Sequence, residues 1–293
     1  MNAPVKIACI QMHAEFQKKQ ENLNRAEHFI RDACANGANL LVLPEFFTGT
    51  SSRSRAEAYA QAEPIPAGET TRRLLELSAE YGVYICGSFL EQDGVDLYNT
   101  SVLTGPEGFI GKYRKLQLCG DETYYYEPGN LGIPVFHTKL GRIALLICLD
   151  TYYPETFRIA AMQGADIVCA SYHGMDLQKA RSLPDNLYTP IPILCMANAL
   201  SNHMYVVGCN RVGNCNGYQA AGQSIIANPY GAPVGPVAPY DQEVILYAEV
   251  DLCDTRRRYI DATNSRIANR RTDVYDSMLG YDPAHWPKQA GSH

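Results

Sequence analysis

Short runs of aliphatic and β-branched residues recur along the chain. They are VKIACIQM at 5–12, LLVLPE at 40–45, VYICGSFL at 83–90, LYNTSVLT at 97–104, RIALLICLD at 142–150, DIVCASY at 166–172, MYVVGCNRVG at 204–213, GQSIIANPYG at 222–231 and EVILYAEVD at 243–251. Several lack strict polar alternation, which predicts strands covered on one or both faces. Between some of them the spacing becomes helical. In QENLNRAEHFIRDACANGA, Leu23, Ala26, Phe29, Ile30 and Ala33 share one face and Gly37 supplies a stop. GETTRRLLELSAEYG repeats the device, with Thr70 or Thr71 as N-cap and Gly82 at the end. PETFRIAAMQGAD places Pro154 in a first turn and Gly164 at the close. The order of strands and helices predicts a mixed α/β protein, a central sheet system with helices outside it.

Neither an internal repeat nor a low-complexity linker divides the chain, so the pattern predicts one domain over 1–283 with a tail over 284–293, whose closing AGSH reads as part of an appended tag. The Pro- and Gly-dense stretches at 184–192 and 228–239 read as surface loops. A net charge of -6 with no basic stripe gives no footprint for nucleic acid. No apolar run is long enough to span a bilayer, and the N-terminus runs straight into a strand pattern without a basic leader. The ten cysteines form no C-x-x-C pair and no zinc-type cluster, so no metal site is expected. Most sit in apolar runs as small hydrophobes, which with the missing leader predicts a reducing, cytoplasmic setting.

Three positions carry possible chemistry. Glu45 closes NLLVLPE, Lys115 lies in GKYRKLQL, and Cys148 closes RIALLIC. Two of them end apolar strands, where open α/β sheets bind ligands. A thiol can attack a carbonyl, a carboxylate can take and return a proton, and an ammonium can stabilise an oxyanion. Singly, each has a plainer reading: a core cysteine, a solvated loop acid, a surface lysine beside Arg114.

Together their surroundings resemble the nitrilase superfamily of carbon–nitrogen hydrolases. The matching segments are LPE after a strand, KYRK followed by Leu, CLDTYYPE before a helix, NRVG at 210–213 and GQSIIANPYG. The resemblance covers nearly the whole chain. It implies a four-layer α-β-β-α sandwich, no metal or organic cofactor, and a homodimer or larger homo-oligomer associating through helical layers. It further implies that Cys148 is the nucleophile, Glu45 the general base and acid, Lys115 the oxyanion stabiliser and the Leu149 N–H a second oxyanion donor. Glu122 is the expected second glutamate, orienting Lys115 or the substrate nitrogen, with Glu127 and Asp121 as competitors for that role.

Leu149-Asp150 after the cysteine, where nitrilases proper carry Trp-Glu, is more similar to the amidase and carbamoylase branches. The ETYY loop is similar to that of β-ureidopropionase- and N-carbamoylputrescine amidase-like members. Thr151 and Tyr152 stand where carbamoylases of amino acids place arginine, so a substrate carboxylate is not well supported, although Arg181 or Arg211 could supply the charge. Tyr124, Tyr125, Tyr126, Tyr152, Tyr153 and Tyr172 suggest a pocket for a neutral, aromatic or cationic group. Tyr125, Tyr152, Tyr153, Leu149 and His173 are the candidate substrate contacts. The expected activity is hydrolysis of a small linear amide or carbamoyl amide through a Cys148 thioester. Nitrile hydrolysis, acyl transfer to an amine and a catalytically silent binding protein are the competitors.

Overall fold

Two sheets take up the apolar runs. The computed structural model describes residues 4–49, 54–174, 188–215, 217–256, 259–261 and 263–279; the expected tail over 284–293 and Arg181 lie outside them. The first sheet has the order β13 (Val244–Val250), β1 (Val5–Gln11), β2 (Leu40–Val42), β3 (Tyr84–Asp93), β4 (Asp96–Gly105), β5 (Gly108–Arg114). Strands β1, β2 and β3 are parallel, and β13, β4 and β5 pair antiparallel with their neighbours. The second has the order β12 (Ile225–Ala227), β9 (Tyr205–Asn210), β8 (Ile167–Tyr172), β7 (Arg142–Ile147), β6 (Val135–His137), with β7, β8 and β9 parallel. β10 (Val212–Cys215) and β11 (Tyr218–Ala221) form a separate hairpin.

The sheets face one another, with β1 against β9, β2 and β3 against β8, and β4 and β5 against β7. Reduced cysteines Cys9, Cys86, Cys169 and Cys209 fill this layer, where a small polarizable side chain fits between two backbones. Cys209 Sγ donates to the carbonyls of Ile10 and Val42, both at 3.1 Å, and Ser171 Oγ to that of Leu43 at 2.8 Å. Helices α1 (Lys19–Ala35) and α3 (Glu69–Tyr81) cover the outer face of the first sheet, where Leu23, Ile30, Leu74 and Leu77 join Ala8, Ile10 and Ile85. Helix α5 (Pro154–Met162) packs on α6 (Pro190–Asn202), which packs on β9. Between α1 and α5 come two short helices, α2 (Arg55–Gln61) and α4 (Glu122–Tyr125). The layers are therefore α-β-β-α. From residue 259 the described chain forms a second compact unit, with the helix α7 (Thr272–Met278).

Local details depart from expectation. Gly68, not Thr70 or Thr71, caps α3. A Cβ there would sit 2.7 Å from both the Glu63 side chain and the Pro64 carbonyl. Residues 190–192, read as loop, begin α6, because Pro190 stands where a helix lacks an N–H partner anyway. Strand β5 carries no apolar run and was not foreseen.

Phe157 is fully buried on α5. Phe157→Ala should lose about 3–5 kcal/mol, read as a lower urea midpoint with an unchanged slope.

Candidate active site

Four strands deliver the candidate residues. β2 runs into Glu45, β5 into Lys115, β7 into Cys148 and β8 into His173. Three of these strands are in the parallel portions of the two sheets, and their carboxyl ends face the same crevice, where such sheets bind ligands.

Glu45 is buried and fully engaged. Its Oε1 accepts from Lys115 Nζ and from Asn99 Nδ2, each at 2.8 Å, and its Oε2 accepts from the His173 backbone N–H at 2.7 Å. The backbone N–H of Glu45 itself donates to the Tyr172 carbonyl at 3.2 Å, tying the loop after β2 to the end of β8.

Lys115 is 1 % exposed and lies between two carboxylates, Glu45 at 2.8 Å and Glu122 Oε2 at 2.7 Å. Burial pushes the ammonium down, but the charges of Glu45 and Glu122 outweigh it and hold its pKa well above that of a free lysine. Its neighbour Arg114 is not surface charge either. It grips Glu91 through Nε at 3.0 Å and Nη2 at 2.7 Å, with Thr100 and Lys112 on the same carboxylate. This buried network locks β3, β4 and β5 together immediately before Lys115. Of the three acids considered for the second carboxylate, Glu122 reaches the lysine. Glu127 pairs with Arg55 at 3.9 Å and Asp121 stands exposed at the N-cap of α4. Glu122 Oε1 also accepts from Asn99 at 3.1 Å, and Oε2 from the Cys119 N–H at 2.7 Å. Burial raises its pKa despite the adjacent lysine.

Cys148 ends β7 on a left-handed backbone, φ 46°, and opens a 3-10 turn over Cys148–Tyr152. A non-glycine residue there is strained. Asp150 supports the turn: its carboxylate accepts from Tyr113 OH at 2.7 Å, Gln117 N at 2.8 Å and Ile147 N at 3.1 Å. Thr151 Oγ1 donates to the Cys148 carbonyl at 2.7 Å. The turn places the Leu149 N–H in a first helical turn, without an intrahelical acceptor. Burial and the Glu45 charge push the Cys148 thiol well above its ordinary pKa, against the opposing pull of Lys115. A neutral thiol beside a carboxylate can transfer its proton as it attacks.

The remaining candidates divide. His173 joins the site through its backbone and its half-buried ring. Burial first, then the charges of Arg211 and Lys115, hold that ring well below the ordinary histidine pKa. The tyrosines are not gathered into one ring-lined box. Tyr152 and Tyr153 are 46 % and 41 % exposed beyond the 3-10 turn, Tyr124 is 73 % exposed, Tyr125 and Tyr126 pack with Phe46, and Tyr172 is buried with its hydroxyl 3.5 Å from Cys195 Sγ. They are close in sequence, but the turn sends successive rings to different surroundings.

Sequence reasoning missed Asn99, which joins the two carboxylates; the available signal was an amide amid the apolar and hydroxyl residues of 97–104. The segments NRVG and GQSII, which carry the resemblance, also have a structural task. Asn210 Oδ1 accepts from Gly174 N at 2.9 Å, and its own N–H donates to Ser224 Oγ at 2.8 Å, which in turn donates to Gln11 Oε1 at 2.8 Å. This chain of bonds holds the His173–Gly174 backbone against Glu45.

Residues 6–259 match the sequence profile of the carbon–nitrogen hydrolases. A protein named nitrilase from Pyrococcus abyssi is 38% identical over 273 residues, covering 92% of this chain and 99% of that protein. N-carbamoylputrescine amidase of Solanum lycopersicum is 29% identical, covering 89% of this chain and 90% of its own. The crystal structure of an amidase from Nesterenkonia sp. superposes with a TM-score of 0.78 at 23% identity, covering 95% of this chain and 98% of that one.

Burial lifts the Asp150 carboxyl to about 6, in spite of its three donors, from an ordinary value of 3.8. The folded protein thus holds a proton there more tightly than the unfolded chain does. The stabilisation is complete below about pH 4 and is lost as the pH rises through 6. Asp150→Asn removes this titration. Relative to wild type, its stability should climb by up to about 3 kcal/mol between pH 4 and 7, in urea unfolding at each pH. A constant difference would contradict the assignment.

Proposed function

The chain belongs to the carbon–nitrogen hydrolase family, and from that premise we propose that it hydrolyses a small linear amide or carbamoyl amide through a thioester on Cys148. The observation that carries this reading is the buried Lys115 ammonium bonded to both Glu45 and Glu122, with the neutral Cys148 thiol in the field of all three.

Cys148 Sγ attacks the carbonyl carbon while Glu45 takes the thiol proton. The carbonyl oxygen gathers negative charge, which Lys115 Nζ and the Leu149 N–H stabilise. The carbon–nitrogen bond breaks as Glu45 returns the proton to the leaving nitrogen, and ammonia departs. Water then attacks the thioester, giving a proton to Glu45. As the carbon–sulfur bond breaks, the thiolate recovers that proton and the acid leaves. From a carbamoyl compound the product is a carbamate, which decomposes to amine and carbon dioxide. Glu122 and Asn99 act on Lys115 and Glu45, keeping the donor and the base in place. No step requires a metal or organic cofactor.

Leu149-Asp150 supports the amide reading over the nitrile one, whereas the Pyrococcus relative named nitrilase favours the latter. The ten free cysteines suit a reducing cytoplasm, and no described helix is long and apolar enough to cross a membrane. Ile159 and Met162 on α5 and Ile193 and Leu200 on α6 are exposed, which supports a homo-oligomer joined through these helices.

Ammonia release from a matched set of amides, carbamoyl amines and nitriles should occur with amides or carbamoyl amines and vanish in Cys148→Ala. Glu45→Gln should lose at least a hundredfold in kcat yet still accept an acetamide group from fluoroacetamide at Cys148, seen by intact mass. Turnover of nitriles alone would replace this reading with the nitrilase one.

A further inference from the structure

The two acids around Lys115 offer four carboxylate oxygens, and the hydrogen bonds these receive are unequal. Glu45 Oε1 accepts two, from Lys115 Nζ and Asn99 Nδ2, each at 2.8 Å. Among the described residues Glu45 Oε2 accepts one, from the His173 backbone N–H at 2.7 Å. Glu122 mirrors the pattern. Its Oε2 takes Lys115 Nζ and the Cys119 N–H, both at 2.7 Å, and its Oε1 takes Asn99 Nδ2 at 3.1 Å. A carboxylate oxygen has about two lone-pair positions. Glu45 Oε1 is therefore filled, whereas Oε2 keeps one position open.

Asn99 produces this asymmetry. It is fully buried on β4, and its amide nitrogen donates to both acids. Turned over, the amide would set its oxygen against two carboxylates, so charge fixes its orientation. Its backbone carbonyl accepts from the Lys115 N–H at 2.9 Å. One residue thus holds the backbone of the lysine and both partners of its ammonium. Asn99 Oδ1 is buried without a hydrogen-bond partner among the described residues. An unpaired buried acceptor is costly, and the charge-assisted bonds to the two acids offset that cost.

We propose that Asn99 is a positioning residue that separates the two oxygens of the base: it closes Glu45 Oε1, and the catalytic proton travels on Oε2. This rests on the amidohydrolase reading and names the atom that carries its proton. As Sγ bonds to the carbonyl carbon and the π electrons move to oxygen, the thiol proton passes to Oε2. As the carbon–nitrogen bond breaks, Oε2 gives that proton to the nitrogen, which leaves as ammonia. Oε1 is a carboxylate oxygen before the transfer and a carbonyl oxygen after it, and it accepts from Lys115 and Asn99 in both states. No donor has to move between them, so the base is preorganised. Without Asn99, Oε1 gains an open position, and a proton held there is kept from the leaving nitrogen. Both carboxyls also lose a donor that favours their ionised form.

The test is the pH dependence of kcat and kcat/KM, on the best amide of the matched set, for wild type, Asn99→Leu and Asn99→Ser. Leucine keeps the volume and removes both donors, whereas serine keeps one hydroxyl. The other ionisable groups that act on this crevice are Lys115, Glu122, Cys148, Cys119, His173 and Arg211. They are common to all three proteins. In Asn99→Leu, kcat should fall about ten- to a hundredfold with KM changed less than about threefold. The acid limb of kcat/KM should move up by about one to two pH units. Asn99→Ser should lie between wild type and Asn99→Leu. Should Asn99→Leu fail to fold, the acid limb of the serine variant decides. A fall in kcat with the acid limb unmoved, as a merely structural role would give, or a loss confined to KM would overturn the proposal and leave the amidohydrolase intact. Silence of wild type on every amide and carbamoyl amine would instead sink the amidohydrolase reading, and this proposal with it.

Discussion

One buried ammonium shared by two carboxylates, Glu45 buried and Glu122 partly so, governs the rest of the site. Desolvating Lys115, Glu45 and Glu122 costs several kcal/mol per ion, and such clusters are weak sources of stability. What this one supplies is position and charge balance. Two acids against one base leave an excess of negative charge beside Cys148, and that excess, together with burial, keeps the thiol protonated. The sulfur gives up its proton productively only when another atom takes on the charge. A substrate carbonyl oxygen beside Lys115 is such an atom. The resting site is thus quiet toward protons and primed toward carbonyls.

The scaffold exists to hold that balance. Glu45 belongs to the first sheet and Cys148 and His173 to the second, so the site forms only when the sheets are stacked in register. Hydrogen bonds from Cys209 and Ser171 to backbone carbonyls of the opposite sheet set that register. A polar chain from Gln11 through Ser224 and Asn210 to the His173–Gly174 segment then reaches Glu45. Buried chains of this kind are high-stakes, since each member left unpaired carries its full desolvation cost. The strained turn at Cys148 is retained because Asp150 and Thr151 over-determine it.

Much of this was legible in the sequence, and the failures are instructive. Glu45 and Cys148 stood out because they end apolar runs. Lys115 lacks that signal, since the strand before it, GFIGKYR, shows no apolar pattern, and its role comes from the resemblance. That strand forms because Lys112 and Arg114 place their charges on buried Glu91, and because Gly111 leaves room for the Phe136 ring, which a Cβ there would overlap. Asn99 was invisible because a polar residue in a strand ordinarily faces water, whereas β4 is covered on both faces over most of its length. The tyrosines do not share one setting, because adjacency in sequence is not adjacency across a sharp turn. Arg211 stands in the sequence as a charge, whereas its complete burial and its bond to the Ala14 carbonyl exist only in three dimensions.

Cys148 rests as a thiol, guarded by burial and by the surplus acid around Lys115. Ultraviolet thiolate absorbance of wild type minus Cys148→Ala, followed against pH, tests it most directly. No thiolate signal from Cys148 should appear up to pH 9, the ordinary value from which burial and Glu45 displace it upward. A thiolate titrating below pH 7 would mean instead that Lys115, not the carboxylates, dominates the sulfur.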